Sequence, residues 1–529
     1  MSRGGEPVKK LLLIGLAVLV FIAGGLAIAA RMLFEPERVR ATIESQASAA
    51  LGLPVTLRGA DVSVWPRARV TLRGLAVGQP ASLTLETIEV ATALRALLSR
   101  RIENAELTVA DSTVDLPALM AALDGVAKPE PAPVDGTPAG APLTLVSIDT
   151  IAFRNVRISF DRGAATVSLE SALNGDRLDI PSFELASSVT TMKASGSIES
   201  LAGRKAKLSV NAESLDLDGM IALLSGASGA SSASGASSAK VPFDLTLDVN
   251  AAKGRAGGVQ FDNLKTTIVA TAESVRLEPF GLGAFGGRID GKADVDAKRA
   301  EPVLTADVSF NGIDMSAVSA FAGQPNAMTG RLAGELHVSG SGRDPAAALA
   351  KATGRGAMKI TDGVIPNLHL VRTIVLAFGK PAPDSHPTTQ SPRRGGPDSA
   401  SGGDRFTSIT AAMQLANNAV RFTELLFASS DLDLQASGSL NLADGSIAVA
   451  GRAMLSEALT AQAGRDLVRY TAENQRVTVP VTVSGPISAP NVGVDTTSLL
   501  RRAAENEIKR EIQKRTGSLL ERLTGKKKP

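Results

Sequence analysis

The sequence predicts a mainly β protein: a long antiparallel meander with an N-terminal transmembrane helix, a few short helices and a C-terminal amphipathic helix. Three observations lead there. Alternation of apolar and polar residues with period two recurs along most of the chain, as in half-buried strands. Asp-Gly and Asn-Gly pairs such as Asn174-Gly175, Asp290-Gly291, Asp362-Gly363 and Asp444-Gly445 punctuate it, and those dipeptides accept the positive φ that tight hairpins need. The 529 residues are 44% hydrophobic but only 3% aromatic, with 15 Phe, one Tyr (Tyr470) and one Trp (Trp65), so the apolar content is aliphatic.

Taken in order, Leu11–Ala30 reads LLLIGLAVLVFIAGGLAIAA, 20 residues without a polar side chain. At ~1.5 Å per residue it spans roughly 30 Å, the thickness of a bilayer core. Leu11, Leu12, Leu13, Ile14, Leu16, Val18, Leu19, Val20, Phe21, Ile22, Leu26 and Ile28 are the candidate anchor residues. A cleaved signal peptide is the competing reading, because Ala27-Ile28-Ala29 has a small-x-small form. The run exceeds the ~7–15 residues usual for such peptides, which favours an uncleaved anchor. Arg3, Lys9 and Lys10 before it are balanced by Arg31, Arg38 and Arg40 after it, so charge bias does not set the topology. A short stub with the large domain exported is the commoner arrangement for a single N-terminal anchor.

After an amphipathic stretch, Pro36–Leu51, the alternating strands begin. Val62, Val64, Val70, Leu72, Leu83 and Leu85 mark the first group, and Phe243, Leu245, Leu247 and Val249 a second. Leu336 and Val338 follow, then Leu432, Leu434, Leu440 and Leu442, and finally Val477, Val479, Val481 and Val483. Helical patches are expected at Ala91–Ser99, Leu116–Leu123, Leu217–Leu224 and Ile313–Phe321. Pro-rich Ala127–Pro142, Gly/Ser/Ala-only Ser225–Ala239 and Pro/Gly/Ser-rich Gly379–Asp404 read as linkers. The organisation is therefore a stub and anchor (1–34), a β region (35–126), a linker (127–142), a β segment (143–224), a linker (225–240), a β segment (241–378), a loop (379–405), a β region (406–495) and a basic tail (496–529).

Each such strand has one apolar face that must be covered, normally by helices or a second sheet. The helical patches are too few to cover so long a sheet. Either the sheet packs on itself as a sandwich, or it curls into a trough whose apolar interior takes up something else, of which acyl chains are the natural candidate.

Chemistry-bearing motifs are scarce. There is no cysteine, which excludes disulfides, thiolate metal sites and cysteine nucleophiles. Of the three histidines, His337 alternates onto the face opposite Leu336 and Val338, His369 lies in an apolar stretch where packing is expected, and His386 is in a linker. Gly281–Gly286 satisfies GxGxxG, but GRIDGKADVDA follows it, so the loop leads into a strand where a dinucleotide fingerprint requires a helix. Ser237-Ser238-Ala239-Lys240 matches SxxK at the end of a linker, where nothing would hold a nucleophile near its base. No carboxylate pair stands out as catalytic, and no metal or organic cofactor is expected.

The formal charge of +3 is uneven. Thr496–Pro529 holds ten Lys/Arg and four Asp/Glu, a net of +6, which leaves 3 − 6 = −3 for the rest. Leu500, Ala504, Ile508 and Ile512 recur every four residues among basic pairs, an amphipathic helix whose candidate docking face is Leu500, Ile508 and Ile512. It suits the open end of the sheet, a partner helix or anionic lipid. Nucleic acid is not expected, because base-stacking platforms are missing.

In sum these residues resemble the AsmA family of envelope proteins. The opening pattern is similar in the anchor, the short helix and Leu51-Gly52-Leu53-Pro54-Val55-Thr56-Leu57-Arg58-Gly59 leading through Trp65-Pro66. Gly283–Gly291 (GAFGGRIDG), Met328–Gly342 and Gly354–Ile365 resemble its middle, and DRFTSITAAMQLANNAVRF, DLDLQASGSLNLADGSI and Val479–Asp495 its closing signature. The resemblance implies an elongated, curled antiparallel β-sheet forming an apolar groove, lined by the alternating residues named above. It implies a non-enzymatic lipid-binding or lipid-transfer protein of the cell inner membrane, single-pass, with its large domain in the periplasm. Phospholipid acyl chains would be carried toward the outer membrane, with other envelope proteins as candidate partners. The alternative is an envelope scaffold or outer-membrane assembly factor that binds proteins.

Overall fold

A computed structural model describes residues 36–63, 65–93, 101–102, 104–124, 144–145, 147–201, 203–227, 244–299, 301–342, 345–377, 403–462, 472–473 and 476–495, with 508 and 512. The apolar run Leu11–Ala30, the linker Ala127–Pro142, Ser237–Lys240, and Val64, Phe243, His386 and Leu500 lie outside the described residues. No helix among those described is long and apolar enough to cross a membrane. The fold is mainly β with short helices, and it divides into two compact units, one reaching Leu282 and including Asp296–Lys298, the other made of Gly283–Val295 and the chain from Arg299.

The first unit opens on helix α1 (Pro36–Leu51), followed by strands β1 (Val55–Ser63), β2 (Ala68–Val77), β3 (Leu83–Thr92), β4 (Arg101–Ile102), β5 (Ala105–Ala110) and β6 (Thr113–Asp115). Helix α2 (Leu116–Asp124) leads to β7 (Thr144–Leu145), β8 (Ser147–Phe160), β9 (Gly163–Asn174), β10 (Arg177–Ser187), β11 (Thr190–Ser200) and β12 (Lys205–Asp216). Helix α3 (Leu217–Ala227) precedes β13 (Asp244–Ala256), β14 (Val259–Ala270) and β15 (Ser274–Ala284), in which the division falls.

The second unit runs β16 (Gly287–Asp296), β17 (Val303–Asp314), α4 (Met315–Phe321), β18 (Arg331–Ser341), α5 (Pro345–Ala350), β19 (Thr353–Ile365) and α6 (Leu370–Ala377). It continues with β20 (Asp404–Ala416), β21 (Ala419–Ala428), β22 (Leu432–Asn441), β23 (Ser446–Leu455), α7 (Glu457–Gln462), β24 (Ala472–Glu473), β25 (Arg476–Pro486) and β26 (Asn491–Val494).

Most neighbours pair antiparallel, as the alternation and turns predict, but the meander has exceptions. β5 and β6 pair parallel with β8, and β12 pairs parallel with β13. In both places a helix, α2 or α3, and a linker intervene, and such a crossover returns the chain to the end of the sheet from which it came. Dipeptide punctuation also divides into two kinds. Asn174-Gly175 and Asp444-Gly445 turn hairpins with Gly φ of 60° and 67°, and the GxGxxG segment is a hairpin turned by Phe285 (φ 49°) and Gly286 (φ 70°). Asp290-Gly291 and Asp362-Gly363 instead lie inside β16 and β19, with Asp362 at φ 52°. A positive φ there serves a local irregularity within the strand, not a turn.

Two helical expectations shift. Ala91 and Thr92 finish β3, and the rest of the patch to Ser99 lies outside the described residues. Ile313 and Asp314 finish β17, and the helix starts at Met315, its N-terminus capped by the Asp314 carboxylate, which accepts from the Ser316 N–H at 2.9 Å. His369 is exposed at φ 46° just before α6, not packed as its apolar surroundings suggest.

Candidate functional site: the apolar face of each unit

Strand register puts the alternating residues on a common face. In the first unit Leu208 and Val210 of β12 stand beside Leu247 and Val249 of β13, and Leu245 and Leu247 oppose Ala270 and Ile268 of β14. Toward the N-terminus, Ile198 opposes Ala206 and Leu178, Leu178 opposes Leu173, and Val109, Ile88 and Leu72 follow in successive partnerships. The opposite face of the same strands is polar: Lys207, Ser209 and Asn211 beside Thr246, Asp248 and Asn250, with the Thr267 hydroxyl donating to Asp248 at 2.7 Å.

The second unit repeats the arrangement. Ala306 and Val308 of β17 oppose Val338 and Leu336 of β18, Leu332 opposes Ile360, and Ile360 opposes Ile409. Phe427, Leu434, Ala453 and Val479 carry the face on, strand by strand, to β25.

Coverage of this face is uneven, and the unevenness has physical causes. At the start of the first unit α1 lies on β1, where Glu44 accepts the Leu57 N–H at 2.7 Å and Ser48 the Val55 N–H at 2.9 Å. Ile43 is thereby buried among Leu57, Val70, Leu72, Ile88 and Val90. Helix α3 closes one end of β12–β14: Asp218 accepts from the Gly257 and Gly258 N–H groups at 2.8 and 2.9 Å, and Ala212, Leu215, Val249, Ala251 and Phe261 are buried beside Met220. In the second unit Leu370 and Ile374 of α6, both 0% exposed, join Leu432, Val477 and Val479 in a sealed core. The Leu370 N–H donates to the Asp404 carboxylate at the start of β20, which anchors this short helix.

Between those covers the face is only half-buried. Leu208, Val210, Leu245, Leu247 and Ile268 in the first unit, and Leu304, Val308, Leu332, Leu336 and Val338 in the second, all retain accessible surface. A depression of about 190 Å³ at the end of β12–β14 opposite α3 is lined mainly by the polar face, among others Lys205, Lys207, Asp244 and Thr246, with Leu245 and Ala270 contributing from the apolar side.

The sequence-predicted lining residues therefore fall into distinct settings. Leu245, Leu247, Leu336 and Val338 lie on the half-buried stretch, and Leu83, Leu85 and Leu440 are also half-buried. Val70, Leu72, Val249, Leu432, Leu434, Val477, Val479, Val481 and Val483 are buried in cores, while Val62 and Leu442 are exposed. Ile508 and Ile512, from the C-terminal docking face, are helical and exposed. Alternation could not separate open from sealed positions, because a covering helix comes from elsewhere in the chain. Leu208, Val210, Leu304 and Val308 share the half-buried face and were legible by the same alternation, in KLSV and VLTADV.

Other chemistry is sparse. His337 is solvent-facing, as its alternation predicts, and its Nδ1 bonds the Asp307 carboxylate, which also pairs with Lys292 at 3.3 Å. Those partners hold the Asp307 carboxyl below the usual carboxylate range. A depression of about 530 Å³ in the second unit, lined by Glu335, Lys359, Glu424 and Leu426 among small residues, lies mainly on the polar face. Among the described residues no His, Cys, Asp and Glu group could hold a metal ion.

Residues 144–390 match the family model for the AsmA family. That stretch, a little under half of the chain, is AsmA-like. The AsmA match spans both half-buried stretches, from β7 through α6, whereas Leu51–Gly59 and Val479–Asp495, which resemble the family's opening and closing patterns, lie outside it. No curated protein and no solved structure matches the chain.

Proposed function

We propose that this chain is a non-enzymatic lipid-binding or lipid-transfer protein that holds phospholipid acyl chains on the half-buried apolar face. One observation carries the reading: each unit has an aliphatic face that is sealed at particular places, by α1 and α3 in the first and by α6 in the second, and left half-buried elsewhere. A face meant only as a core would be covered throughout, since exposed apolar area costs about 25 cal/mol per Å². An acyl chain laid along it gains roughly 0.8 kcal/mol per buried CH₂. Such contact is non-directional, so a chain can slide while its headgroup stays in water. The AsmA-family match over residues 144–390 and the large β-sheet fold are compatible with this role.

The apolar run Leu11–Ala30 supports a single-pass anchor in the inner membrane, with the β units in the periplasm and transfer directed toward the outer membrane. Inner-membrane lipid is then the first partner, and other envelope proteins are further ones. Extraction and mass spectrometry of lipids that co-purify with the chain tests the reading. Bound phospholipid is expected, and its loss is expected on Leu247→Asp, which places a charge on the open face. A folded chain free of lipid would favour a scaffold that binds envelope proteins.

A further inference from the structure

Trp65, the single tryptophan of the chain, is 84% exposed at the tip of the β1–β2 hairpin, and Val62 beside it is 38% exposed. An indole left in water has no packing role to explain it. The tip is nevertheless well held: Arg67 pairs with Glu106 and donates to the Asn104 carbonyl at 2.8 Å, and the Ser63 hydroxyl donates to the Trp65 carbonyl at 3.3 Å.

Where the tip points follows from α1. As β1 advances from Val55 to Leu57, its partners on α1 retreat from Ser48 to Glu44, so strand and helix run antiparallel. Six residues from Leu57 to Ser63, the last of β1, cover roughly 20 Å. Eight helical residues from Glu44 back to Pro36 cover about 12 Å. The end of β1 thus projects about 8 Å beyond the first residue of α1, on the side from which the chain enters it, and Trp65 follows in the turn. Only residues 31–35 separate Ala30, the end of the apolar run, from Pro36, and five residues reach at most about 17 Å. The indole lies at the level that the end of the apolar run can reach.

Two further observations point to lipid as the occupant. Ala68 pairs with Thr92, so β3 ends beside the hairpin tip, and the sequence that leaves it carries Arg95, Arg100 and Arg101 before Glu103 with no intervening acidic residue. Following register through the unit, the same end of the sheet holds Lys205, Leu245 and Ala270, the open end of the apolar face, opposite the end closed by α3.

We propose that the β1–β2 hairpin tip is a second membrane contact, seating Trp65 in the interfacial layer of the bilayer that holds the apolar run. Tryptophan favours that layer because its ring is apolar and its N–H wants a polar partner, and a basic stretch of sequence leaving β3 suits a bilayer with anionic lipid. The open end of the first unit's apolar face is thereby turned toward the lipid source. The inference rests on the anchor reading, and the two fail separately.

Because Trp65 is the only indole, the unmodified full chain reports on itself. It is reconstituted into phosphatidylcholine–phosphatidylglycerol vesicles whose acyl chains carry bromine at shallow or at deep positions. The expected result is flotation with the vesicles, blue-shifted emission, loss of most emission to shallow bromine with less to deep bromine, and protection from aqueous iodide. A chain that floats while Trp65 stays open to iodide and indifferent to bromine overturns the hairpin contact and leaves the anchor standing. A chain that does not float overturns both.

Discussion

Asp404 shows how much a single carboxylate holds in place. It accepts the Leu370 N–H across the sequence and so caps α6, whose Leu370 and Ile374 seal the second unit's core. Burial pushes its carboxyl up from the ordinary value, more than the amide bonds pull it down. A raised folded pKa means that protonation favours the fold: this contribution is present below the ordinary carboxylate pKa and is lost as pH rises through the higher folded one. Asp404→Ala, which removes the cap, is expected to lower the urea-unfolding free energy by about 0.5–2 kcal/mol. Asp404→Asn keeps an acceptor without the desolvated charge and is expected to equal or exceed the wild type at neutral pH. Asp218 behaves oppositely. The Gly258 and Gly257 N–H groups, with Arg255, hold its carboxyl below the ordinary range, so the tie between α3 and the β13–β14 turn is present at neutral pH and lost as pH falls through that lowered value. Hydrogen exchange at Gly257 and Gly258 is expected to accelerate on acidification, and in Asp218→Ala to be fast already at neutral pH.

At the scale of elements, the strands were legible and their covers were not. FDLTLDV and RVTVPVTV announce β13 and β25 by period two, but the same alternation describes half-buried Leu247 and fully buried Val479. The difference lies in α6, eight residues ending just before the Pro-rich stretch that starts at Gly379, too short to stand alone and helical because its apolar side meets the sheet. Strand direction was hidden for a related reason: alternation states which face a residue takes, not which way the strand runs, so the parallel β12–β13 pair is visible only through its crossover. These settings predict different mutant behaviour. Ile374→Ala is expected to cost about 2–5 kcal/mol of stability, as large-to-small changes in sealed cores do, with lipid content unchanged in whatever remains folded. Leu336→Asp, on the half-buried face, is expected to leave the unfolding midpoint nearly unmoved and to reduce the lipid recovered.

For the whole molecule, composition takes on a definite meaning. Forty-four per cent hydrophobic residues with almost no aromatics supply smooth aliphatic walls, and the structure spends only part of them on closed cores. The AsmA-family match covers the strands where the face stays half-buried, and a membrane-length apolar run precedes the first helix in the sequence. Occupation of this half-buried face by lipid is what we propose. Its most direct measurement is native mass spectrometry of the full chain released from detergent, beside Leu247→Asp. Phospholipid masses are expected to be retained on the wild type and depleted on the variant, with both folded by circular dichroism. A wild type that carries no lipid, or a folded variant that carries as much, would contradict it.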